Sequence, residues 1–350
     1  MSLRDRLAAQ IRLGGPLTIA QYMSACLHDP DYGYYATRPA LGDGGDFITA
    51  PLVSQMFGEL IGLWAVEAWT RMGRPPTVRL VEMGPGDGSL MSDLLRAARL
   101  SPEFCDAIDV WLVETSGPLR DRQRSVLGDH IEWATSLAET PGEAPLILVA
   151  NELLDCLPAR QYVRSARGWA ERLVGLDSSG GLTFGLTATP LAREAPPGAV
   201  VEHSPAQEAL GAEIGARIAR DGGAALLIDY GRAVPGYGDT LQALRRHQKE
   251  GPLDHPGEAD LTVHADFPCV LAAAHAAGAA TAHILTQGEF LVRLGIGARA
   301  EALAAARPDR ADEIERQLER LVSPDQMGEL FKVACIHSPN FVPPGFETVA

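Results

Sequence analysis

The sequence predicts an α/β protein built on a doubly wound, Rossmann-like sheet, with an N-terminal helical part and an inserted region. Three observations predict it. Val78 to Ser89 reads as a buried strand, a glycine turn and a helix start. Ile108 to Val113 reads as a second strand, ending beside the acidic Glu114. Further apolar runs, Pro145 to Ala150 and Ala224 to Tyr230, are separated from these by helical stretches and turn-rich segments.

The elements follow in order. Leu3, Leu7 and Ile11 fit a first helix that stops at Gly14-Gly15-Pro16, and Thr18 opens a second amphipathic segment through Met23 and Leu27. His28 to Pro51 is rich in Gly, Pro, Asp and Tyr and predicts a long ordered loop, a kind of segment that often carries function. Val53, Phe57, Leu60, Ile61, Trp64 and Trp69 mark a helix buried on one face. Ser89 is placed to cap the helix continued by Leu90, Met91, Leu94 and Leu95. Ile131 to Trp133 is a short third strand, Pro145 to Ala150 a fourth running into Asn151, and Ala224 to Tyr230 a fifth. Residues 161 to 202 suggest shorter strands with glycine-rich turns, before a helix from Pro205 to Arg220. Late strands near Thr281 to Leu285 and Phe331 to Ile336 close the sheet. The expected organisation is an N-terminal part over residues 1–75, a core over 76–232 and 264–350, and an insertion over 233–263.

Charge selects the nucleotide. A dinucleotide loop reads Gly-x-Gly-x-x-Gly and points free N–H groups at a pyrophosphate. Here Gly84, Gly86 and Gly88 are spaced Gly-x-Gly-x-Gly, and Pro85 removes one N–H. Glu82 and Asp87 flank the turn and would repel a phosphate while attracting an ammonium or sulfonium. S-adenosylmethionine carries both cations, an adenosine end and no phosphate. Glu114, at the end of the second strand, sits where such folds bind ribose hydroxyls, although it also suits a solvated strand end.

Composition sets the outer limits. The chain has 350 residues, 46% hydrophobic and 21% charged, enough for a large core. A net charge of −15 argues against a general grip on nucleic acid phosphates or anionic lipid. Five scattered cysteines form no Cys-x-x-Cys pair, so neither a metal knuckle nor a disulfide framework is indicated, and a reducing compartment is expected. No stretch has the length and apolarity of a membrane span, and Met1 to Ile11 shows neither a secretory signal nor a clear transit peptide. A cytoplasmic location is the expectation.

Ligands of open α/β sheets sit beyond the C-terminal strand ends. Three polar endings therefore belong together: Asn151-Glu-Leu-Leu-Asp155 after the fourth strand, Asp229-Tyr-Gly231 after the fifth, and Gly45-Asp46-Phe-Ile-Thr49 in the long loop. Glu152 and Asp155 can share a face of a short turn or helix start and bind a guanidinium through directed hydrogen bonds. Asn151 alternatively caps a helix, Asp155 alternatively lies on the surface, and Asp229 either touches the site or ends its strand at a turn. His247, His255 and His264 read as loop histidines rather than metal ligands, and Trp111 and Trp133 as core.

These motifs together resemble the MidA-like family of S-adenosylmethionine-dependent methyltransferases. The resemblance is carried by Gly45-Asp-Phe-Ile-Thr-Ala-Pro51 with Ser54-Gln55, Phe57-Gly-Glu59 and Val81-Glu-Met-Gly-Pro-Gly-Asp-Gly88. It continues through Asn151-Glu-Leu-Leu-Asp155 with Leu157-Pro158, Asp229-Tyr-Gly231, Asp260-Leu-Thr262 with Asp266-Phe267, Gln287-Gly288 and Met327-Gly328, spanning nearly the whole chain in order. It implies a class I methyltransferase sheet that binds S-adenosylmethionine. It also implies symmetric dimethylation of an arginine on a respiratory complex I subunit. On this reading Glu82, Gly84, Pro85, Gly86, Asp87, Glu114, Asn151, Gly45, Asp46 and Thr49 hold the cofactor, and Glu152, Asp155 and Asn151 face the acceptor. Two positions depart from the usual pattern: Leu153-Leu154 where aromatics are frequent, and Asp87 where arginine is frequent. A methyltransferase for a small molecule or another residue, and a scaffold that binds the cofactor without turnover, are the alternatives. Exposed faces of the N-terminal helices leave room for a homodimer.

Overall fold

The structure, a computed structural model, describes residues 2–37 and 49–347. Its central sheet has at its heart five parallel strands: Val78–Met83, Ile108–Val113, Glu132–Ala134, Leu146–Asn151 and Gly223–Arg232. They are called here the first to fifth core strands. In space the order is third, second, first, fourth, fifth, followed by the antiparallel Phe331–His337. The first, fourth and fifth strands are buried along almost their whole length, as helices on both faces require, which is why they read as continuous apolar runs. The order reverses between the first and fourth strands, so the chain leaves their C-terminal ends in opposite directions and opens a crevice.

On one face, helix Gln55–Arg71 packs on helix Ser89–Ala98 through Gly58 and Gly62. A Cβ at Gly62 would stand 2.6 Å from the Leu94 carbonyl oxygen, so the two backbones meet only because side chains are missing there. On the other face, helix Pro205–Asp221 meets helix Phe267–Ala276 by the same device at Gly211 and Gly215.

The first helix, Leu3–Gly14, is capped by Ser2 in a capping box with Asp5, and Thr18 with Gln21 caps the second, Ile19–His28. Three of the expectations are changed and one gains detail. Residues 160–203, placed with the core, do not join the central sheet. Arg160–Ser165, Gly168–Leu176, Leu182–Ala188 and Val200–His203 form a separate antiparallel sheet whose Gly168–Leu176 strand also pairs with Leu17–Thr18. Their short apolar stretches are half-exposed strands, a pattern that local sequence cannot assign to one sheet or another. Residues 233–263, expected as an insertion, stand apart from the central sheet and contain three paired strands: Gln242–Arg245, Gln248–Glu250 and Asp260–Thr262. No helix follows Asn151, which is the last residue of its strand; a turn over 152–157 leads straight into Arg160–Ser165. Gly88 rather than Ser89 is the cap of its helix, and the Asp87 carboxylate accepts the Ser89 N–H at 3.0 Å. Gly45 and Asp46 lie outside the described residues.

Candidate methyl-donor and acceptor site

A cavity of about 540 Å³ fills the crevice between the first and fourth core strands. Its volume suits a ligand of drug or cofactor size. Nearly every site residue named from sequence that the structure describes lines it: Thr49, Glu82, the Gly84–Asp87 turn, Glu114, Asn151, Glu152 and Asp155.

One end is built by the glycine turn. Gly84, Gly86 and Gly88 have φ of +64°, +54° and +87°, conformations that side chains with a Cβ adopt only at a cost. The turn is tied down from three directions. The Gly84 N–H donates to the Val113 carbonyl at 3.1 Å, and the Gly88 N–H to the Pro85 carbonyl at 2.9 Å. The fully buried Gln123, on helix Gly117–Leu127, donates to the Gly86 carbonyl at 2.8 Å. Trp133 in turn donates its indole N–H to Gln123 at 2.9 Å, so this tryptophan is half-buried and serves the loop rather than the deep core.

Two carboxylates face this end. Glu82 is buried, and its Oε2 has no hydrogen-bond partner among the described residues. Burial, together with the charges of Asp87 and Glu114, pushes its carboxyl up to about 8. Glu114 continues the second strand and accepts the Ser116 N–H at 2.7 Å, with the Gln123 amide at 3.4 Å. Burial raises its carboxyl as well.

The other end is built by the turn after the fourth strand. Glu152 takes φ +51°, an uncommon conformation for a residue with a Cβ, costing on the order of 1 kcal/mol. Its N–H donates to the Ile228 carbonyl at 2.9 Å. Its Oε1 accepts the Ala50 N–H at 3.3 Å and the Asn151 amide at 3.2 Å. Burial and the nearby Asp155 push the Glu152 carboxyl up to about 8. Asn151 keeps a buried Oδ1 without a partner among the described residues. Asp155 is buried at the same end, and desolvation raises its carboxyl to about 6 against the pull of the Tyr230 hydroxyl.

Sequence reasoning missed four residues here. Tyr35 and Asp260 meet across the cavity wall, the tyrosine hydroxyl donating to both carboxylate oxygens at 3.0 and 3.1 Å. His28 stacks on Tyr35 with ring centroids 5.9 Å apart, and burial lowers its imidazole below the ordinary value. Gln123 is the fourth. Tyr35 and His28 fall in the predicted loop and Asp260 in a motif of the resemblance, but nothing local points them at the fourth strand. Asp229 does not line the cavity; it is fully buried behind the Leu154–Asp155 backbone. His264 rests edge-on against Tyr230, and His255 against Glu250, both outside the cavity.

The charge balance is one-sided. Among the described residues the cavity is lined by six carboxylates (Glu82, Asp87, Glu114, Glu152, Asp155 and Asp260) and by no lysine or arginine. A pyrophosphate would meet repulsion from every side and one N–H fewer at Pro85. An ammonium is what the unpartnered Glu82 oxygen lacks, and an adenosine ribose is what Glu114 can accept from. The residues therefore fit S-adenosylmethionine.

Known proteins agree with this reading. Residues 60–285 match the model of a family described as "Putative S-adenosyl-L-methionine-dependent methyltransferase". The chain is 34% identical to the mitochondrial protein arginine methyltransferase NDUFAF7 of Danio rerio, over 95% of this chain and 86% of that one. The human protein of the same name is 32% identical, over 93% and 81%. A crystal structure from Burkholderia thailandensis, bound to S-adenosyl-homocysteine, superposes with a TM-score of 0.82 at 30% identity, covering 99% of this chain and 93% of that one. A family match over more than half the chain, relatives above 30% identity along nearly all of it, and a cavity that suits the same cofactor lead to one assignment: the chain belongs to the family of S-adenosyl-L-methionine-dependent methyltransferases.

Proposed function

We propose that this methyltransferase acts on an arginine side chain of a protein. The observation that carries the reading is the acceptor end of the cavity, where Glu152, Asp155 and Asp260 converge with no cationic side chain among the described lining residues. A guanidinium would supply the missing charge and several directed N–H donors. The naming of relatives as protein arginine methyltransferases supports the same acceptor.

S-adenosylmethionine, when bound, supplies an electrophilic methyl carbon on a sulfonium. The remaining work falls to the chain. The fixed glycine turn and Glu82 set where the donor lies, without reorganisation during the reaction. Glu152 accepts a hydrogen bond from one guanidinium nitrogen and orients its lone pair toward the methyl carbon. As the new N–C bond forms and the C–S bond breaks, that nitrogen sheds a proton, which Glu152 takes up. The cationic guanidinium favours the ionised Glu152, and a carboxyl raised to about 8 in the empty site then holds the transferred proton near neutral pH far better than an ordinary glutamate. Tyr34, Tyr35, Pro51 and Leu52 cover the site and limit water.

An arginine of a respiratory complex I subunit as the acceptor rests on the family resemblance. A homodimer rests on exposed faces of the N-terminal helices such as that of Leu13, and a cytoplasmic location on the dispersed cysteines. Cell extract incubated with the enzyme and labelled methyl donor, followed by mass spectrometry, tests the acceptor. Label on arginine is expected; label confined to lysine or to small metabolites overturns the reading.

A further inference from the structure

Within the turn that presents Glu152 and Asp155, the Leu157 N–H donates to the Leu154 carbonyl at 3.1 Å, and much of the remaining support comes from outside it. Its backbone groups are taken up by neighbours on other elements: Glu152 N–H by the Ile228 carbonyl, Leu154 carbonyl by the Gln207 amide at 2.8 Å, and Asp155 carbonyl by the Val263 N–H at 2.9 Å. Two further N–H groups, of Leu154 and Asp155, both point at one oxygen. That oxygen is Oδ2 of Asp229, at 2.8 and 3.2 Å, while Oδ1 of the same carboxylate accepts the Tyr230 N–H at 2.8 Å.

We propose that Asp229 is the positioning residue of the acceptor site, acting through the backbone it holds and not through the substrate. It is fully buried, it lies at the C-terminal end of the fifth core strand, and it contributes no surface to the cavity. A carboxylate there is costly, because burial and the charges of Asp155 and Glu152 all oppose its ionisation. Buried capping residues elsewhere in this chain, Ser54, Ser116 and Ser204, are neutral serines; this one is a carboxylate with no exposed surface. What the position gains is an acceptor able to serve two N–H groups from one face. The turn is thereby locked with Glu152 in its left-handed conformation, its carboxylate held toward Ala50 and Asn151. Without that lock, the strained Glu152 backbone would relax toward an ordinary conformation and carry the carboxylate out of line.

The proposal rests on Glu152 and Asp155 serving the acceptor, but not on the acceptor being arginine. The test therefore uses whichever acceptor the wild-type enzyme labels. Asp229→Ala and Asp229→Asn are compared for kcat, KM of the acceptor and S-adenosyl-homocysteine affinity, with thermal melting as the check on folding. The expected result is a kcat loss of about a hundredfold for Asp229→Ala, with product affinity within about threefold of wild type. Asp229→Asn keeps one carbonyl acceptor and should recover to within about tenfold of wild type. A folded Asp229→Ala enzyme with unchanged kcat overturns the proposal. So does an Asn variant as inactive as the Ala variant, which would make charge, and not hydrogen-bond geometry, the requirement. If Asp229→Ala does not fold, the Asn variant decides alone: a folded Asn variant with kcat about a hundredfold or more below wild type overturns the proposal. Failure of the arginine reading shows separately, as wild-type label on another kind of acceptor.

Discussion

Gln123 and Gly86 are joined across two elements by a 2.8 Å hydrogen bond from the buried amide to the loop carbonyl. The same side chain receives the Trp133 indole N–H and reaches the Glu114 carboxylate. One neutral residue thus holds both the glycine turn and the Glu114 carboxylate. Gln123→Ala should lower stability by about 1–3 kcal/mol, since it leaves buried groups unpaired. Affinity for S-adenosyl-homocysteine should fall about tenfold. Denaturant unfolding and calorimetric titration check the two effects.

Gly84 has φ +64°, and a Cβ there would lie 3.0 Å from Leu153 Cδ1. Gly84→Ala should cost about 1–2 kcal/mol from backbone strain and crowding at the cavity wall. The structural effect is read in a thermal melt, and the functional one as weaker donor binding.

Glu82 and Glu152 both have carboxyls raised to about 8, against ordinary values of 4.5 in the unfolded chain. Between those values the folded protein binds protons that the unfolded chain has lost. For the empty enzyme these two groups make stability highest below about pH 4.5, and stability declines as pH rises to about 8. The slope approaches about 1.4 kcal/mol per pH unit for each group. Unfolding measured from pH 5 to 8 should show the slope, and Glu82→Gln should remove one share of it. A cationic donor favours ionised Glu82, so wild-type affinity for S-adenosylmethionine should rise across the same range, and that of Glu82→Gln should be flatter.

Glu152→Gln removes the proton acceptor but keeps the shape. kcat should drop by about a hundredfold or more, while S-adenosyl-homocysteine affinity changes little. Steady-state kinetics beside a product-binding titration separates the two.

Much of this site was legible where chemistry is local. Glu82, the glycines and Glu114 are strand ends and turns, and strand–turn–helix order is written in a dozen consecutive residues. Glu152 was legible as a polar residue at a strand end, but its left-handed backbone was not, because that conformation is imposed by Ile228 and Asp229 from another strand. Gln123, Tyr35 and Asp260 were missed for the same reason. Each sits on a segment with its own local pattern and meets its partner 37, 225 and 225 residues away. The sheet of residues 160–203 was hidden because period and apolarity identify a strand without saying which sheet completes it.

The central claim is a cavity whose buried carboxyl groups, with no lysine or arginine among the described lining residues, accept a cationic, phosphate-free adenosine derivative. Its most direct test is calorimetric titration of the folded protein with S-adenosylmethionine and, separately, with NADH. One saturable site for S-adenosylmethionine, weakened in Glu82→Gln, and no heat with NADH is the predicted result. Saturable NADH binding, with none for S-adenosylmethionine, would contradict it.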